Sequence, residues 1–249
     1  MSGPFGSQQW MYNASSGFYP YELNNSLKFE DGDSSYLSRT PASAGNRTTW
    51  TLSMWVKRAN ISTSQMLFSA GTSSIHYANI QSDNTIRWRN STLDYETTQV
   101  FRDSSAWYHL VFKWDTTNST AADRAEIYVN NEKITVYDVK TNASSSENSI
   151  WNNNVKHTLG NYAYNNTLYF DGYMTEVNFI DGTALDPTSF GETKEGIWIP
   201  KDPTGLTYGT NGFRLPFTET TTANGFNTVT YTGTGATQSI DGVGFQPDF

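Results

Sequence analysis

"TWTLSMWVKR", residues 49–58, is the stretch on which the fold class turns. Trp50, Leu52, Met54 and Val56 fall on one side of it, and Thr51, Ser53, Trp55 and Lys57 on the other. That period of two belongs to a strand with one apolar face turned to a core. Shorter segments of the same kind surround it. Upstream, "SLKFE" (26–30) and "SSYLSRT" (34–40) flank an "EDGD" turn. Downstream come "SQMLFSAG" (64–71), "SIHYANIQ" (74–81) and "TIRWRN" (85–90). "AWYHLVFKWD" (106–115) carries large residues on both faces, so both should be covered. "RAEIYVNNEKITVY" (124–137) reads as a hairpin about Asn130-Asn131, residues suited to a turn with positive φ. "VKHTLGNY" (155–162) and residues 167–181 supply the last core strands, and "TNGFRLPF" (210–217) closes the set. "LDPTSFGE" (185–192) is the one helical turn expected, with Asp186 as cap, Pro187 in the first turn and Gly191 as stop. Short strands at short spacing predict an all-β sandwich or barrel.

Composition agrees. Asn, Ser and Thr make up about a third of the 249 residues, aromatics are 15%, and good helix formers are scarce. The length suffices for a core without staples. With no cysteine, disulfides and thiolate metal sites are excluded. The formal charge of -8 repels phosphate backbones, and Arg87 and Arg89 form too small a basic spot to offset it, so no nucleic-acid partner is expected. No apolar run approaches the ~20 residues of a membrane-spanning helix, so no membrane insertion is expected either. "MSGPFGSQQWMYN" lacks the features of a secretory signal.

Three regions follow. Residues 1–25 are an aperiodic arm whose aromatics (Phe5, Trp10, Tyr12, Phe18, Tyr19 and Tyr21) call for packing on their own domain or on a partner. Residues 26–217 form the sandwich. Residues 218–249 are a polar linker and the start of a further β segment.

The ordered phrases "LKFEDGDSSYLSRT", "TWTLSMWVKR", "WYHLVFKWD", "IYVNNEKI" and "LGNY…YFDGYMTEVNFIDGTALDP" resemble laminin-G-like, concanavalin A-type domains over residues 26–190. "YLSRTPASAGNRTTWT", "FIDGTALDPTSFGE" and "YTGTGATQSIDGVGFQPD" are similar to the version found in virion proteins of marine tailed bacteriophages. The resemblance implies an all-β, concanavalin A-like jelly-roll sandwich of two antiparallel sheets. It also implies a place on the virion, in a tail fibre or on the capsid surface, after synthesis in the host cytoplasm. Its implied partners are other virion proteins, copies of the same chain and a host surface glycan. No cofactor is required, and calcium at the sandwich rim is the one that relatives carry. Asn131 stands where the family has Gly.

Some relatives hydrolyse β-glucans with carboxylates spaced E-x-D-x-x-E on one strand, where alternate residues share a face. That spacing is absent, so no catalytic residues are expected. In "YFDGYMTEVNFIDG" (169–182), Asp171 and Asp181 precede Gly and read as turn formers. Met174 and Val177 are three apart, which breaks alternation and predicts a bulge, with Glu176 facing solvent or a cross-strand cation. Asp31, Asp33 and Asp171 are the candidate calcium ligands, against the plain reading of turn-forming acids. His76, His109 and His157 are too scattered for zinc, and His109 reads as a core histidine. Trp55, Trp107 and Trp114 read as core. Tyr77, Trp88, Tyr95, Trp151, Tyr162 and Tyr164 are candidates for a glycan platform or a subunit interface. The leading expectation is a non-enzymatic virion module for display or attachment. A carbohydrate-binding adhesin with a calcium-assisted rim comes second, and a polysaccharide hydrolase third.

Overall fold

The computed structural model describes residues 18–71 and 73–217. Two seven-stranded antiparallel sheets dominate it. The first runs β1 (Leu27–Phe29), β13 (Gly172–Asp181), β3 (Thr49–Arg58), β8 (Tyr108–Asp115), β9 (Ala125–Val129) and β10 (Glu132–Lys133). β16 (Phe213–Leu215) joins it on β13, farther along the edge that β1 occupies. The second runs β11 (Tyr137–Thr141), β7 (Leu93–Val100), β6 (Thr85–Asn90), β5 (His76–Ile80), β4 (Gln65–Ala70), β12 (His157–Leu159) and β2 (Leu37–Arg39). A separate hairpin pairs β14 (Gly191–Lys194) with β15 (Ile197–Pro200). The jelly-roll class is thus as expected. No helix among the described residues is long and apolar enough to cross a membrane.

The decisive strand, β3, is central and covered on both faces. Trp50, Leu52, Met54 and Val56 enter the main core between the sheets. There Trp50 stacks on Trp114 at 6.0 Å and meets Trp88 edge-on at 5.9 Å, offset geometries that the ring quadrupole favours. The opposite face of the first sheet carries a smaller cluster of Val111, Ile180 and Phe190. This second cover explains why Thr51, Ser53 and Trp55 are also buried.

Local chemistry fixes the turns. Asn130 and Asn131 adopt φ of 49° and 73°, as the hairpin requires. The bulge in β13 lies between Thr175 and Asn178, with Glu176 at φ 45°. Two details differ from expectation. Asp186 does not cap the 3-10 turn Pro187–Ser189, which is one of two such turns among the described residues, the other being Ala121–Asp123; its carboxylate instead accepts from Lys113 Nζ at 2.7 Å. Gly191 is not a helix stop but the first residue of β14, where an added Cβ would lie 2.3 Å from Trp198 Cζ2.

Candidate functional site

The β13 bulge turns Glu176 away from water and onto a cation. Its carboxylate accepts from Arg214 Nε at 3.1 Å and Nη2 at 2.9 Å, and from the Tyr21 hydroxyl at 2.7 Å. Arg214 lies on β16, so it is a cross-strand partner, while the solvent-facing alternative is excluded by a side chain only 5% exposed. One residue earlier, Thr175 Oγ1 donates to the Asn25 carbonyl at 2.6 Å. These two clamps hold residues 21–25 along the first sheet. Burial, then the Glu176 carboxylate, push the Tyr21 phenol up to about 12, so it stays a donor at neutral pH.

Between that segment and β15 opens a groove of about 510 Å³. Tyr19, Tyr21, Trp55, Trp107 and Trp198 give it aromatic walls; Asn24 and Asn25 give it amides. Its base is rigid. Trp55 stacks on His109 at 4.8 Å, and His109 on Trp198 at 5.8 Å. Trp198 Nε1 donates to His109 Nδ1 at 3.0 Å, so the ring proton sits on Nε2 and faces Ser53 Oγ at 2.8 Å. Complete burial holds the His109 pKa down at about 3. His109 is therefore a neutral prop with both nitrogens satisfied, as the sequence indicates.

The groove is not where the sequence candidates point. Trp88, Tyr95 and Trp151 are 0%, 1% and 4% exposed, packed in the core, and cannot offer a face to a sugar. Trp88 on β6 and Tyr95 on β7 point into the main core, and Trp151 reaches it from the turn before β12, which large apolar rings favour over water. Tyr77, Tyr162 and Tyr164 do form a surface strip, with ring centroids 5.5 and 5.7 Å apart, but Tyr162 is itself nearly buried. Trp55 and Trp107 belong to the groove rather than to the main core. The overlooked signal was Trp55, a large aromatic on the otherwise polar side of β3. Of the arm, Phe18 lies under Lys194 Nζ at 5.5 Å and meets Tyr19 edge-on at 5.0 Å. Phe5, Trp10 and Tyr12 lie outside the described residues.

The acids sort differently too. Asp181 is no exposed turn former: its oxygens accept from the backbone N–H groups of Asn46 at 2.8 Å and Asn211 at 3.0 Å, and from Asn152 Nδ2 at 2.5 Å. Asp171 converges with Glu30 and Asp31, carboxylate oxygens all within 4.8 Å of one another. This is the sole such trio among the described residues. Glu30 takes the place expected of Asp33. Desolvation raises the Asp171 pKa, and the charges of Asp31 and Glu30 add to it. Three carboxylates are the beginning of a calcium shell that needs six to eight oxygens. The three backbone carbonyls each accept one hydrogen bond, from Ser34, Ser35 and Ala59, and Lys28 Nζ sits 2.6 Å from Glu30, so a cation there competes with an ion pair already made.

Glu22 is the single carboxylate among the described residues lining the groove. Hydrolysis of a glycoside calls for two, flanking the bond. The arrangement can stack apolar sugar faces and hydrogen-bond their hydroxyls, and its described residues include no acid–base pair.

Comparison with known proteins agrees with the architecture. No curated protein matches the chain. Among solved structures, similar ones include a Bacteroides ovatus ATCC 8483 protein provisionally assigned to carbohydrate binding, with 15% identity and TM-score 0.45 over 74% of this chain and 53% of that one. Domains LG4-5 of the mouse laminin alpha1 chain align at 13% identity and TM-score 0.45, over 62% of this chain and 40% of theirs. Domain 4 of AbnA, a GH43 extracellular arabinanase from Geobacillus stearothermophilus, aligns at 17% and 0.40, over 57% of this chain and 65% of that one. The match thus spans about half of the first of these structures and less than two thirds of each of the three. A laminin G-type family model, described as the concanavalin A-like lectin/glucanases superfamily, matches residues 31–189. The chain belongs to that superfamily.

Proposed function

We propose that this chain is a non-enzymatic, glycan-binding display module of a tailed-phage virion. One observation carries the binding half: a groove with five aromatic side chains, two amides and a lone carboxylate on a rigid sheet. Aromatic rings supply broad contact at small conformational cost, and amides give orientation. The fold is one that binds carbohydrate in its superfamily, and a groove whose described lining has one carboxylate favours binding over cleavage. The virion half is supported by the phage-like phrases at 36–51, 179–192 and 231–248. The Glu30–Asp31–Asp171 trio favours a second, compatible reading, in which calcium assists at the rim.

Two measurements test it. Immunogold labelling of purified particles with an antibody to residues 26–217 should decorate tail or capsid; unlabelled particles would remove the virion half. A glycan array probed with the full chain should give selective hits without turnover. Released reducing ends would overturn the non-enzymatic assignment.

A further inference from the structure

The two large sheets part at one edge. Among the described residues β2 ends one sheet and pairs only with β12, and β16 pairs only with β13 of the other. Between them opens a cavity of about 450 Å³, within the ~300–1,000 Å³ of small-molecule pockets. Leu37, Leu159, Phe179, Phe213 and Leu215 make its lining strongly apolar. Inner faces of a sandwich otherwise close at crystal-like density, so an opening of this size is a feature to be explained.

Its polar side is equally particular. Arg39 lines the cavity, donates from Nη1 to the Asn211 carbonyl at 2.6 Å and lies 5.6 Å over the Phe213 ring. It has no carboxylate partner among the described residues. Asp181, bonded to the two asparagines that line the cavity, is consumed by those bonds and by Asn46. His157 also lines the cavity; burial holds its pKa down at about 4, so it is neutral and Arg39 is the cation there. Trp151 completes the wall, 4% exposed, and its indole N–H finds no acceptor among the described residues.

We propose that this cavity binds a small amphiphilic carboxylate, its apolar chain between the sheets and its head group on Arg39. Apolar length matches the lining, and one negative charge matches Arg39, the one cation of the lining without a carboxylate partner among the described residues. A guanidinium already oriented by a carbonyl and a ring face presents its remaining N–H groups at little entropic cost. This site is separate from the aromatic groove and does not depend on glycan binding there.

The test is calorimetric titration of the full chain with laurate and, as a neutral control of equal chain length, dodecanol. Saturable one-to-one binding of laurate is expected. Arg39→Gln should weaken laurate about tenfold, one charge-assisted hydrogen bond, and leave dodecanol unchanged. Leu37→Trp, which fills the cavity from a half-buried edge position, should abolish both; Leu215→Trp on the opposite wall replaces it if melting shows that it unfolds. Absence of saturable laurate binding overturns the proposal, as when the chain's own segment or a second copy closes the edge. Laurate binding that both Arg39→Gln and the filling variant leave intact also overturns it, since the amphiphile then sits elsewhere.

Discussion

Replacing Glu176 by Gln removes one charge and keeps the shape, so it isolates the clamp that positions Tyr21. At 2.9 Å and an effective dielectric of 20, the bare attraction between Glu176 and Arg214 is about 6 kcal/mol. Desolvating a carboxylate that is 5% exposed cancels much of that, while Arg214, 26% exposed, keeps part of its hydration. Hydrogen bonds to charged groups are worth about 1.5–3 kcal/mol net. Glu176→Gln should therefore destabilise the fold by about 2 kcal/mol without unfolding it, a drop of roughly 4–8 °C in melting temperature at this size. Urea denaturation followed by circular dichroism reads it. The double change with Arg214→Met should cost less than the sum, with coupling of about 1 kcal/mol or more. A single-variant loss under about 0.5 kcal/mol, with no coupling, would refute the clamp. So would wild-type reactivity of Tyr21 and Tyr19 towards iodination in the variant, since loosening the segment should expose both.

Four further outcomes follow from named residues. His109 and His157 have folded pKa values of about 3 and 4, below the ordinary 6.5, so the unfolded chain binds more protons between pH 6.5 and those values. Stability should be flat above pH 6.5 and fall as pH drops from 6.5 to 5, by up to about 1.4 kcal/mol per unit for each histidine; a flat urea midpoint across that window contradicts their burial. Asn131→Gly should stay within about 0.5 kcal/mol of wild type, whereas Asn131→Val, β-branched at φ 73°, should lose about 1–2 kcal/mol; equal stability of the two would contradict the turn. Trp151→Ala should cost about 3–5 kcal/mol by denaturant titration, and a loss below about 1 kcal/mol would return Trp151 to the surface. Calcium at ten times its Kd should add about 1.4 kcal/mol of thermal stability through Glu30, Asp31 and Asp171, and Asp171→Asn should abolish the gain; no gain with the wild type removes the rim site.

Strands were legible wherever one face is buried, because the period of two is then written in residue type. β3 stayed legible although both its faces are covered, because its core side carries large apolar residues at every second position and its other side Thr51, Ser53 and Lys57. The sequence reading passed over β7, "LDYETTQV", whose last three residues are exposed, and the β14–β15 hairpin, "GETKEGIWIP", whose pattern is broken by turn residues. The site was less legible. Trp88 and Trp107 look alike as letters, and only the pairing register decides which one faces the opposite sheet. Asp181 precedes Gly182, as a turn residue would, yet the loops at Asn46, Asn152 and Asn211 close over it. Those partners lie 29 to 135 residues away, a separation no local pattern encodes.

The central claim is that the aromatic groove binds sugar, and its most direct test is calorimetry of the full chain with the strongest glycan from the array. Three single variants bear on it: Tyr19→Ala and Trp107→Ala, which strip exposed ring area from the groove, and Tyr164→Ala in the separate tyrosine strip. The account predicts at least about tenfold weaker binding for the first two, from stacking worth some 1.4 kcal/mol or more each, and wild-type affinity for the third. Unchanged affinity in Tyr19→Ala and Trp107→Ala, with loss in Tyr164→Ala, would contradict it and move the glycan to the other sheet.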